Sequence, residues 1–350
     1  MAEQRTDRVA VAMSGGVDSS VAAALLLEAG WRVRGVFMRL GQPGQERQEG
    51  EARAVAAKLG VELAVVDLAE EFARLVIAPF VAAYAAGSTP NPCVLCNRLI
   101  KSGRLLAEAV PRYGNVLATG HYARLMADGR GGRWLLRGAD RRKDQSYFLC
   151  RLEQTQLRQL LLPLGELSKE AVRRLAVRFG IEASHGEESQ DVCFLRGQSV
   201  AQFVEDRAVV TSGPIRDLAG RELGRHAGLH RYTIGQRRGL GIPDATPWYV
   251  VALDPDDNAV VVGKEEDLLG GMACLRDLHW LAGPPPELPF CAAVQLRYRH
   301  SAANAVVEAG GDGRQLLVRF DTPQRAITPG QYAVLYQGER VVGSGEIARG

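Results

Sequence analysis

The run AMSGGVDSS at Ala12–Ser20 combines residue types that can hold a phosphate group. An apolar strand pattern leads into Ser14, Gly15 and Gly16, and a helix is predicted to begin near Val17. Glycines let the backbone approach a ligand closely, and a helix N-terminus offers unpaired N–H groups to an anion. No lysine follows the serines, so this is not a Walker A loop. We therefore expect a nucleotide held by backbone and serine donors, together with Mg²⁺.

Three cysteines have a pattern that suggests chemistry. Cys93 and Cys96 form a C-x-x-C pair, and Cys193 stands alone in SQDVCFL. The other three lie in apolar runs, where we expect them to pack as small hydrophobic side chains: Cys150, Cys274 and Cys291. Six cysteines in 350 residues of an intracellular chain do not suggest a disulfide framework.

Composition limits where this chemistry takes place. The chain is 46% hydrophobic and 24% charged, which is typical of a globular protein. The longest apolar run near the start, Val21–Leu27, is far shorter than the ~20 residues of a membrane span. The opening MAEQRTDR carries acidic residues where a signal peptide needs positive charge. We expect a cytoplasmic protein with no membrane partner.

The net charge of +3 conceals two basic segments. Arg130–Lys143 holds six basic residues against one acid, and Arg216–Leu240 holds six arginines against two acids. Concentrated positive charge favours a polyanion partner such as nucleic acid.

Strand and helix patterns alternate along the first part of the chain, which carries most of these residues. Strands are predicted at Arg8–Met13, Arg32–Met38, Val61–Asp67 and Asn115–Gly120. Helices are predicted at Val17–Gly30, Glu51–Leu59, Glu70–Ala86, Asn97–Val110, Glu153–Leu160 and Ser168–Phe179, with a loop at 89–96. This alternation predicts an α/β domain with a doubly wound parallel sheet.

Beyond about residue 205 the apolar runs shorten to strand length with period two. We expect a small β-rich domain there, followed by a C-terminal β-barrel. The predicted domains are 1–207, 208–276 and 277–350, with the proline-rich stretch 282–289 as a linker.

Longer strings narrow the interpretation: STPNPCVLCNRLIKSG, ATGHYAR, KDQSYFL, ESQDVCFL, HRYTIGQRRGLGI and TPQRAITPGQYAVLYQGERVVGSGEI. Together with the glycine loop, which resembles that of the N-type ATP pyrophosphatases, they resemble the bacterial tRNA-specific 2-thiouridylases in order from Ala12 to Ile347. The resemblance implies ATP-dependent thiolation of the wobble uridine at tRNA position 34. AMP is transferred to the carbon-2 oxygen with release of pyrophosphate, and sulfur then displaces AMP.

The resemblance also implies roles for individual residues. ATP binding falls on Ala12, Met13, Ser14, Gly15, Gly16, Val17, Asp18, Ser19, Met38 and Gly120. Contact with tRNA falls on Asn91, Pro92, Cys93, His121, Lys143, Asp144, Gln145, Arg297, Tyr298 and Gln331. Catalysis falls on Cys96 and on Cys193 as the sulfur carrier, and Asp18 is a further candidate that could bind Mg²⁺ or favour the helix dipole.

One departure from the family leaves two schemes open. The commoner loop is NPD-x-x-CN, and here Cys93 replaces the Asp. Sulfur could travel as a persulfide on Cys193. Alternatively, Cys93, Cys96 and Cys193 could ligate a [4Fe–4S] cluster with one iron left open. A zinc site would need a fourth ligand, for which His185 lacks a matching spacing.

The implied partners are tRNA, bound at its anticodon loop, and a sulfur donor such as a cysteine desulfurase or a relay protein. Two other functions remain open: a 4-thiouridine or 2-thiocytidine synthase, and a non-catalytic protein that binds tRNA and ATP. The C-terminal strings RYRH and PGQYAVLY argue against the first. Intact Ser14–Ser20, Cys96 and Cys193 argue against the second.

Overall fold

The computed structural model describes residues 7–181, 192–195, 197–281, 283–311 and 314–349. The strands, in chain order, are β1 (Arg8–Ala12), β2 (Arg32–Arg39), β3 (Leu63–Asp67), β4 (Val116–Ala118), β5 (Ala123–Ala127), β6 (Arg133–Arg137), β7 (Leu160–Leu161), β8 (Gly213–Asp217), β9 (Glu222–His226), β10 (Tyr249–Asp254), β11 (Ala259–Gly263), β12 (Leu269–Trp280), β13 (Phe290–Gln295), β14 (Ala303–Ala309), β15 (Leu316–Arg325), β16 (Tyr332–Gln337) and β17 (Arg340–Ile347). The α-helices are α1 (Val17–Glu28), α2 (Gln45–Lys58), α3 (Ala69–Phe72), α4 (Ala78–Ala85), α5 (Pro92–Leu95), α6 (Leu106–Tyr113), α7 (Gln154–Arg158), α8 (Lys169–Arg178) and α9 (Val200–Glu205).

The first sheet is parallel, with strand order β3-β2-β1-β4-β7. Val9 and Val11 of the central strand pack toward α1 and α2, whereas Ala10 packs into the core on the other face. All three are fully buried, as expected when helices cover both faces of a parallel sheet. The predicted doubly wound fold is therefore confirmed.

The helical segment around Cys96 begins earlier than expected. Residues 89–96 were predicted as a loop, but α5 begins at Pro92 and continues through the π-helical turns Cys96–Leu105. Proline suits the first position of a helix because its missing N–H is not needed there. Both C-x-x-C cysteines therefore lie on helix rather than on loop.

A hairpin that the sequence patterns did not predict precedes and enters the first basic segment, with β5 before it and β6 inside it. Strands β5 and β6 pair antiparallel, and β6 also pairs with β17 through Leu136 and Arg340. The first domain thus contributes a hairpin to the C-terminal sheet.

The central region forms a four-stranded sheet in the order β10-β11-β8-β9. Ile215, Val250 and Val260 are fully buried in its small core. A β-rich central unit was expected from the short apolar runs.

The C-terminal strands close into a barrel in the order β12-β15-β14-β13-β16-β17, with β17 pairing back onto β12. Among the described residues, this closure pairs β12 with β17, so neither strand is left as an open edge of the barrel. The predicted barrel is confirmed, but the proposed division at 276/277 falls inside β12. The proline-rich stretch at 282–289 joins β12 to β13 within the barrel and does not link domains.

The barrel is fixed to the first domain by buried contacts. The Tyr147 hydroxyl donates to the Tyr332 carbonyl at 2.9 Å, and the Ser344 hydroxyl donates to the Cys150 carbonyl at 3.1 Å. The guanidinium of Arg137 lies 3.4 Å from the ring centroid of Tyr336. These contacts hold barrel residues at a set position relative to the first sheet.

Within the described part of the chain, no helix is both long and apolar enough to cross a bilayer.

Candidate active site

The glycine loop is held in shape by its own serines. The backbone N–H of Ser14 donates to Ser19 Oγ at 3.1 Å, and the Ser19 and Ser20 hydroxyls donate to the Gly16 carbonyl at 3.0 and 2.9 Å. Gly15 has φ +83°, and a Cβ there would lie 2.9 Å from the Gln48 carbonyl oxygen. Because two hydroxyl protons serve the loop itself, backbone N–H groups at the start of α1 are the donors left for an anion.

Gly120 lies directly against this loop. A Cβ on Gly120 would lie 2.8 Å from the Ser19 backbone nitrogen and 2.9 Å from the Asp18 carbonyl carbon. The chain order of the strands reverses between β1 and β4, and ligands of open α/β sheets bind at such a switch point. The loop after β1 and the residues after β4 meet there. Met38, near the carboxyl end of β2, is partly buried against the main core.

The Asp18 carboxylate has two partners from distant parts of the chain. The Lys169 ammonium donates to its two oxygens at 2.7 and 2.8 Å. The Tyr122 hydroxyl donates to Oδ1 at 2.7 Å. Asp18 is about one-third exposed, so a ligand can reach it.

The thiols of Cys93, Cys96 and Cys193 differ in exposure. Cys96 is buried, Cys93 is half-buried and Cys193 is exposed, with the Gln42 amide donating to Cys193 Sγ at 3.0 Å. Burial raises the pKa of Cys96 to about 12 and also raises the pKa of Cys93. The charge of Cys193 raises the pKa values of Cys93 and Cys96 further, and the Lys101 ammonium lowers them. The three thiols and Lys101 therefore lie within electrostatic reach of one another.

His121 directly follows Gly120, and the Lys101 ammonium acts on it as it does on Cys93 and Cys96. Burial, assisted by the Lys101 ammonium, lowers the pKa of His121 to about 3. Its Nδ1 lies 2.7 Å from the Thr119 hydroxyl. The imidazole is therefore neutral at physiological pH, and it can donate or accept a hydrogen bond with a nucleobase without adding charge.

The described residues do not form a preassembled metal site. No three of their His, Cys, Asp and Glu side chains come together in an arrangement that could hold a metal ion. The thiols of Cys93, Cys96 and Cys193 interact electrostatically but do not converge in this way. His185, the candidate fourth zinc ligand, lies outside the described residues.

Several residues assigned to tRNA contact make hydrogen bonds within the protein. The buried carboxylate of Asp144 accepts bonds from the backbone N–H groups of Gly138 and Ser146 at 2.9 and 3.0 Å. Gln145 exchanges two bonds with the backbone of Tyr122. Asp144 and Gln145 thus fix the loop that presents Lys143.

In the barrel, two of the assigned residues also bond within the protein. The Arg297 guanidinium donates to the Arg325 carbonyl at 3.2 Å, and the Gln331 amide donates to the Thr89 carbonyl at 2.8 Å. Gln331 thereby ties the barrel to the segment that leads into Asn91 and Pro92. Asn91 is half-buried and Pro92 is buried.

Tyr298 lines a polar pocket between the first domain and the barrel. The pocket has a volume of about 440 Å³, and its basic lining residues are Arg137, Arg141, Arg142, Arg299 and His300. The ring of Tyr298 packs on Phe148 with centroids 4.3 Å apart. The Phe148 carbonyl accepts a bond from Asn97, the residue after Cys96. One wall of the basic pocket therefore leads toward the thiol site.

The second basic segment is less available to a polyanion than its charge suggests. Four of its six arginines form ion pairs with acidic residues: Arg216 with Asp257, Arg221 with Asp217, Arg225 with Glu222 and Arg231 with Glu205. In the first segment, Arg142 remains exposed beside the pocket. What favours the first segment for contact with a polyanion is its place on the pocket between the first domain and the barrel.

Comparison with known proteins bears on this geometry. Three family models match along the chain: a tRNA methyl transferase HUP domain at 7–197, a tRNA methyl transferase PRC-barrel domain at 201–264 and an aminomethyltransferase beta-barrel domain at 272–347. The chain is 45% identical to the tRNA-specific 2-thiouridylase MnmA of Syntrophotalea carbinolica, over 99% of this chain and all of that one. It is 46% identical to the protein of the same name from Chloroflexus aggregans, over 97% and 98% of the two chains. The chain belongs to the tRNA-specific 2-thiouridylase family.

Solved structures are more distant. The U34-tRNA thiolase NcsA from Methanococcus maripaludis with its [4Fe-4S] cluster is 17% identical, with a TM-score of 0.37 over 58% of this chain and 65% of that one. A predicted subunit of tRNA methyltransferase from Methanocaldococcus jannaschii is 19% identical, with a TM-score of 0.33 over 48% and 73%. Both likenesses are weak.

Membership of the 2-thiouridylase family confirms the resemblance seen in the motifs. Sequence reasoning nevertheless missed Lys169, Tyr122, Lys101 and Gln42, which contact or influence the site. Of these four residues, only Lys101 could have been found from the sequence, because it is a cation five residues after Cys96. The packing expected of the other cysteines holds for Cys150, which is fully buried, and is wrong for Cys291, which is exposed.

The burial of Cys96 in this 2-thiouridylase predicts an order of thiol reactivity. At pH 7 a thiol with a pKa of about 12 is ionised to only about one part in 10⁵. We expect iodoacetamide to modify the exposed Cys193 and Cys291 at least about tenfold faster than Cys96. The Cys96 rate should rise with pH well above neutrality because its thiolate forms only there. Peptide mass spectrometry measures the rates, and equal rates at Cys96 and Cys193 would contradict the prediction.

Proposed function

We propose that this chain is an ATP-dependent tRNA-uridine 2-sulfurtransferase that acts on the wobble uridine at position 34. The supporting observation is that two adjacent residues, Gly120 and His121, connect the nucleotide loop with the surroundings of the thiols. Gly120 lies against the nucleotide loop, and His121 lies within the electrostatic reach of Lys101, which also acts on Cys93 and Cys96. A base positioned beside His121 can meet both the α-phosphate of ATP and a sulfur nucleophile.

The first step activates a poor electrophile. The uracil carbon-2 oxygen attacks the α-phosphorus of ATP, the bond to the β-phosphate oxygen breaks and pyrophosphate leaves. We assign ATP binding to Ala12–Ser19, Met38 and Gly120. Mg²⁺ fits a site with one accessible carboxylate because it is commonly held by one or two carboxylates and substrate phosphates. Asp18 would hold it, and the ion would neutralise phosphate charge.

The second step replaces the adenylated oxygen with sulfur. We assign the sulfur to a persulfide on Cys193, because this exposed thiol is accessible to a donor protein such as a cysteine desulfurase or a relay protein. The Cys96 thiolate attacks Cys193 Sγ, either before or after the terminal sulfur has bonded to carbon-2. The sulfur–sulfur bond of the persulfide breaks, and AMP departs with the original oxygen. Cys96 and Cys193 end as a disulfide, which a dithiol reductant must reduce before the next turnover.

Cys96 must ionise for this attack. Burial opposes ionisation, and the Lys101 ammonium favours it. The region around Cys96 must also accommodate the bound tRNA, which is a polyanion. The wobble uracil must leave its stack in the anticodon loop to reach the thiols. We assign tRNA contact to Asn91, Pro92, Cys93, His121, Lys143, Asp144, Gln145, Arg297, Tyr298 and Gln331.

We assign no step to a [4Fe–4S] cluster because the exposure of Cys193 suits a thiol that accepts sulfur from a donor protein. Iron and acid-labile sulfide analysis after anaerobic reconstitution tests this choice in the wild type and in Cys93→Ala. Stoichiometric iron that depends on Cys93 would replace the persulfide scheme with the cluster scheme.

The function itself is tested by reconstitution. Purified protein, ATP, tRNA, a sulfur donor and a dithiol should produce AMP, pyrophosphate and 2-thiouridine in equal amounts. Nucleoside analysis that finds 4-thiouridine or 2-thiocytidine would change the product assigned. Binding of ATP and tRNA without any AMP would leave a non-catalytic binding protein.

Charge reversal in the first basic segment tests the tRNA-binding face. Arg142→Glu with Lys143→Glu should weaken tRNA binding and lower the slope of log K against log salt by about 1–2, because each phosphate neutralised contributes close to one. A matched control is Arg8→Glu with Arg112→Glu, which lie near the start of β1 and at the end of α6, on the opposite edge of the sheet. Equal slopes in the two double variants would remove Arg142 and Lys143 from the interface.

A further inference from the structure

The nucleotide loop carries no lysine of its own, yet a lysine ammonium lies on it. Lys169 Nζ is 2.7 Å from Asp18 Oδ1 and 2.8 Å from Oδ2. Asp18 is the second residue of α1, where backbone N–H groups face a bound phosphate. The ammonium is therefore at the place where the phosphate chain of a nucleotide must lie.

The position of Lys169 is set by the fold. It is the first residue of α8, and its backbone N–H donates to Asp140 Oδ2 at 2.9 Å. Helix α8 packs on α1 through Val172 and Ala176, which share a buried cluster with Val21. The backbone of Lys169 is thus fixed relative to the loop, while its four-carbon side chain keeps the freedom to move its charge by several ångströms.

Asp18 retains a second partner if the ammonium moves. The Tyr122 hydroxyl donates to Asp18 Oδ1 at 2.7 Å, and the ring of Tyr122 is buried. The carboxylate is about one-third exposed, whereas the lysine side chain is 14% exposed. A ligand that brings negative charge would compete with Asp18 for the ammonium and would leave the carboxylate hydrogen-bonded to Tyr122.

We propose that Lys169 is a phosphate-binding residue of this site, which moves from Asp18 to the β- and γ-phosphates of ATP and stabilises the departing pyrophosphate. This inference rests on the proposed ATP-dependent function. When the α-phosphorus bonds to the uracil oxygen, its bond to the bridging oxygen breaks and that oxygen gains negative charge. The ammonium of Lys169 stabilises this charge and keeps its proton. A lysine from a later helix thereby does what the Walker A lysine does within its own loop.

Calorimetry with ATP, inorganic pyrophosphate and AMP tests this role. Lys169→Met should weaken binding of ATP and pyrophosphate at least about tenfold and change AMP binding less than about twofold, since AMP lacks the β- and γ-phosphates. Lys169→Arg should restore most of the ATP affinity. Lys58→Met is the matched control, because Lys58 donates only to the Gly180 carbonyl among its hydrogen bonds in the described structure, and it should bind all three ligands as the wild type does.

Two outcomes would overturn the proposal: unchanged ATP affinity in Lys169→Met, or equal weakening of ATP and AMP, which would indicate a structural role. If Lys169→Met fails to fold, Asp18→Asn with Lys169→Met removes both charges together and is compared with Asp18→Asn alone. Failure of the proposed function is distinguishable, because wild type that binds ATP but makes no 2-thiouridine would refute the reaction and leave the phosphate contact in place.

Discussion

Cys193→Ala is expected to abolish 2-thiouridine formation, by more than about 1,000-fold, while pyrophosphate release from ATP continues in the presence of tRNA. The two proposed steps use different residues: we assign adenylation to the loop and Asp18, and sulfur transfer to the exposed Cys193 and the buried Cys96. Loss of the sulfur carrier removes a covalent intermediate, and such losses cost orders of magnitude. Parallel assays of pyrophosphate and 2-thiouridine measure the separation.

Cys291→Ala is the matched control, because Cys291 is also exposed but lies in β13 of the barrel. It should thiolate tRNA at the wild-type rate. Cys96→Ala should behave as Cys193→Ala does, since either loss prevents displacement at the persulfide. Normal thiolation by Cys193→Ala would refute the persulfide route, and loss of pyrophosphate release would show that the two sites are not separable.

Gly120→Ala is expected to weaken ATP binding at least about tenfold and to lower the free energy of unfolding by about 1–3 kcal/mol. The added Cβ would lie 2.8 Å from the Ser19 nitrogen and 2.9 Å from the Asp18 carbonyl carbon. Both are backbone atoms in the first turn of α1, so they cannot move aside as a flexible side chain could. The loop must shift, and its N–H groups would no longer meet the phosphates. Calorimetry with ATP and chemical denaturation measure the two effects.

Gly50→Ala provides the control for replacing a glycine. Gly50 lies inside α2, is exposed and has no atom within 4 Å of an added Cβ. Alanine there should stabilise the helix by up to about 1 kcal/mol and leave ATP binding unchanged. Wild-type ATP affinity in Gly120→Ala would show that the loop tolerates the clash and that Gly120 does not border the nucleotide.

The sequence patterns predicted most of the first domain because its strands and helices have strong periodicity. Strand β2 was predicted at Arg32–Met38 and is found at Arg32–Arg39; α1 was predicted from Val17 and begins there. The start of α5 was wrong because Pro92 was interpreted as part of a loop. The β5–β6 hairpin was missed because each of its strands has only five residues, with arginines among them, and one of its pairings, Leu136 with Arg340, reaches a distant barrel strand.

The sequence by itself determined the family and predicted the chemistry of the loop and the thiols, since local residue types and their spacing carry that information. Which of the three thiols is buried was decided by tertiary packing, and so was the pKa of Cys96, because desolvation depends on neighbours from every element. Tertiary packing also placed the Lys169 ammonium on the nucleotide loop. No pattern near Ala12–Ser20 predicts Lys169, because its contact with Asp18 exists only where α8 packs on α1.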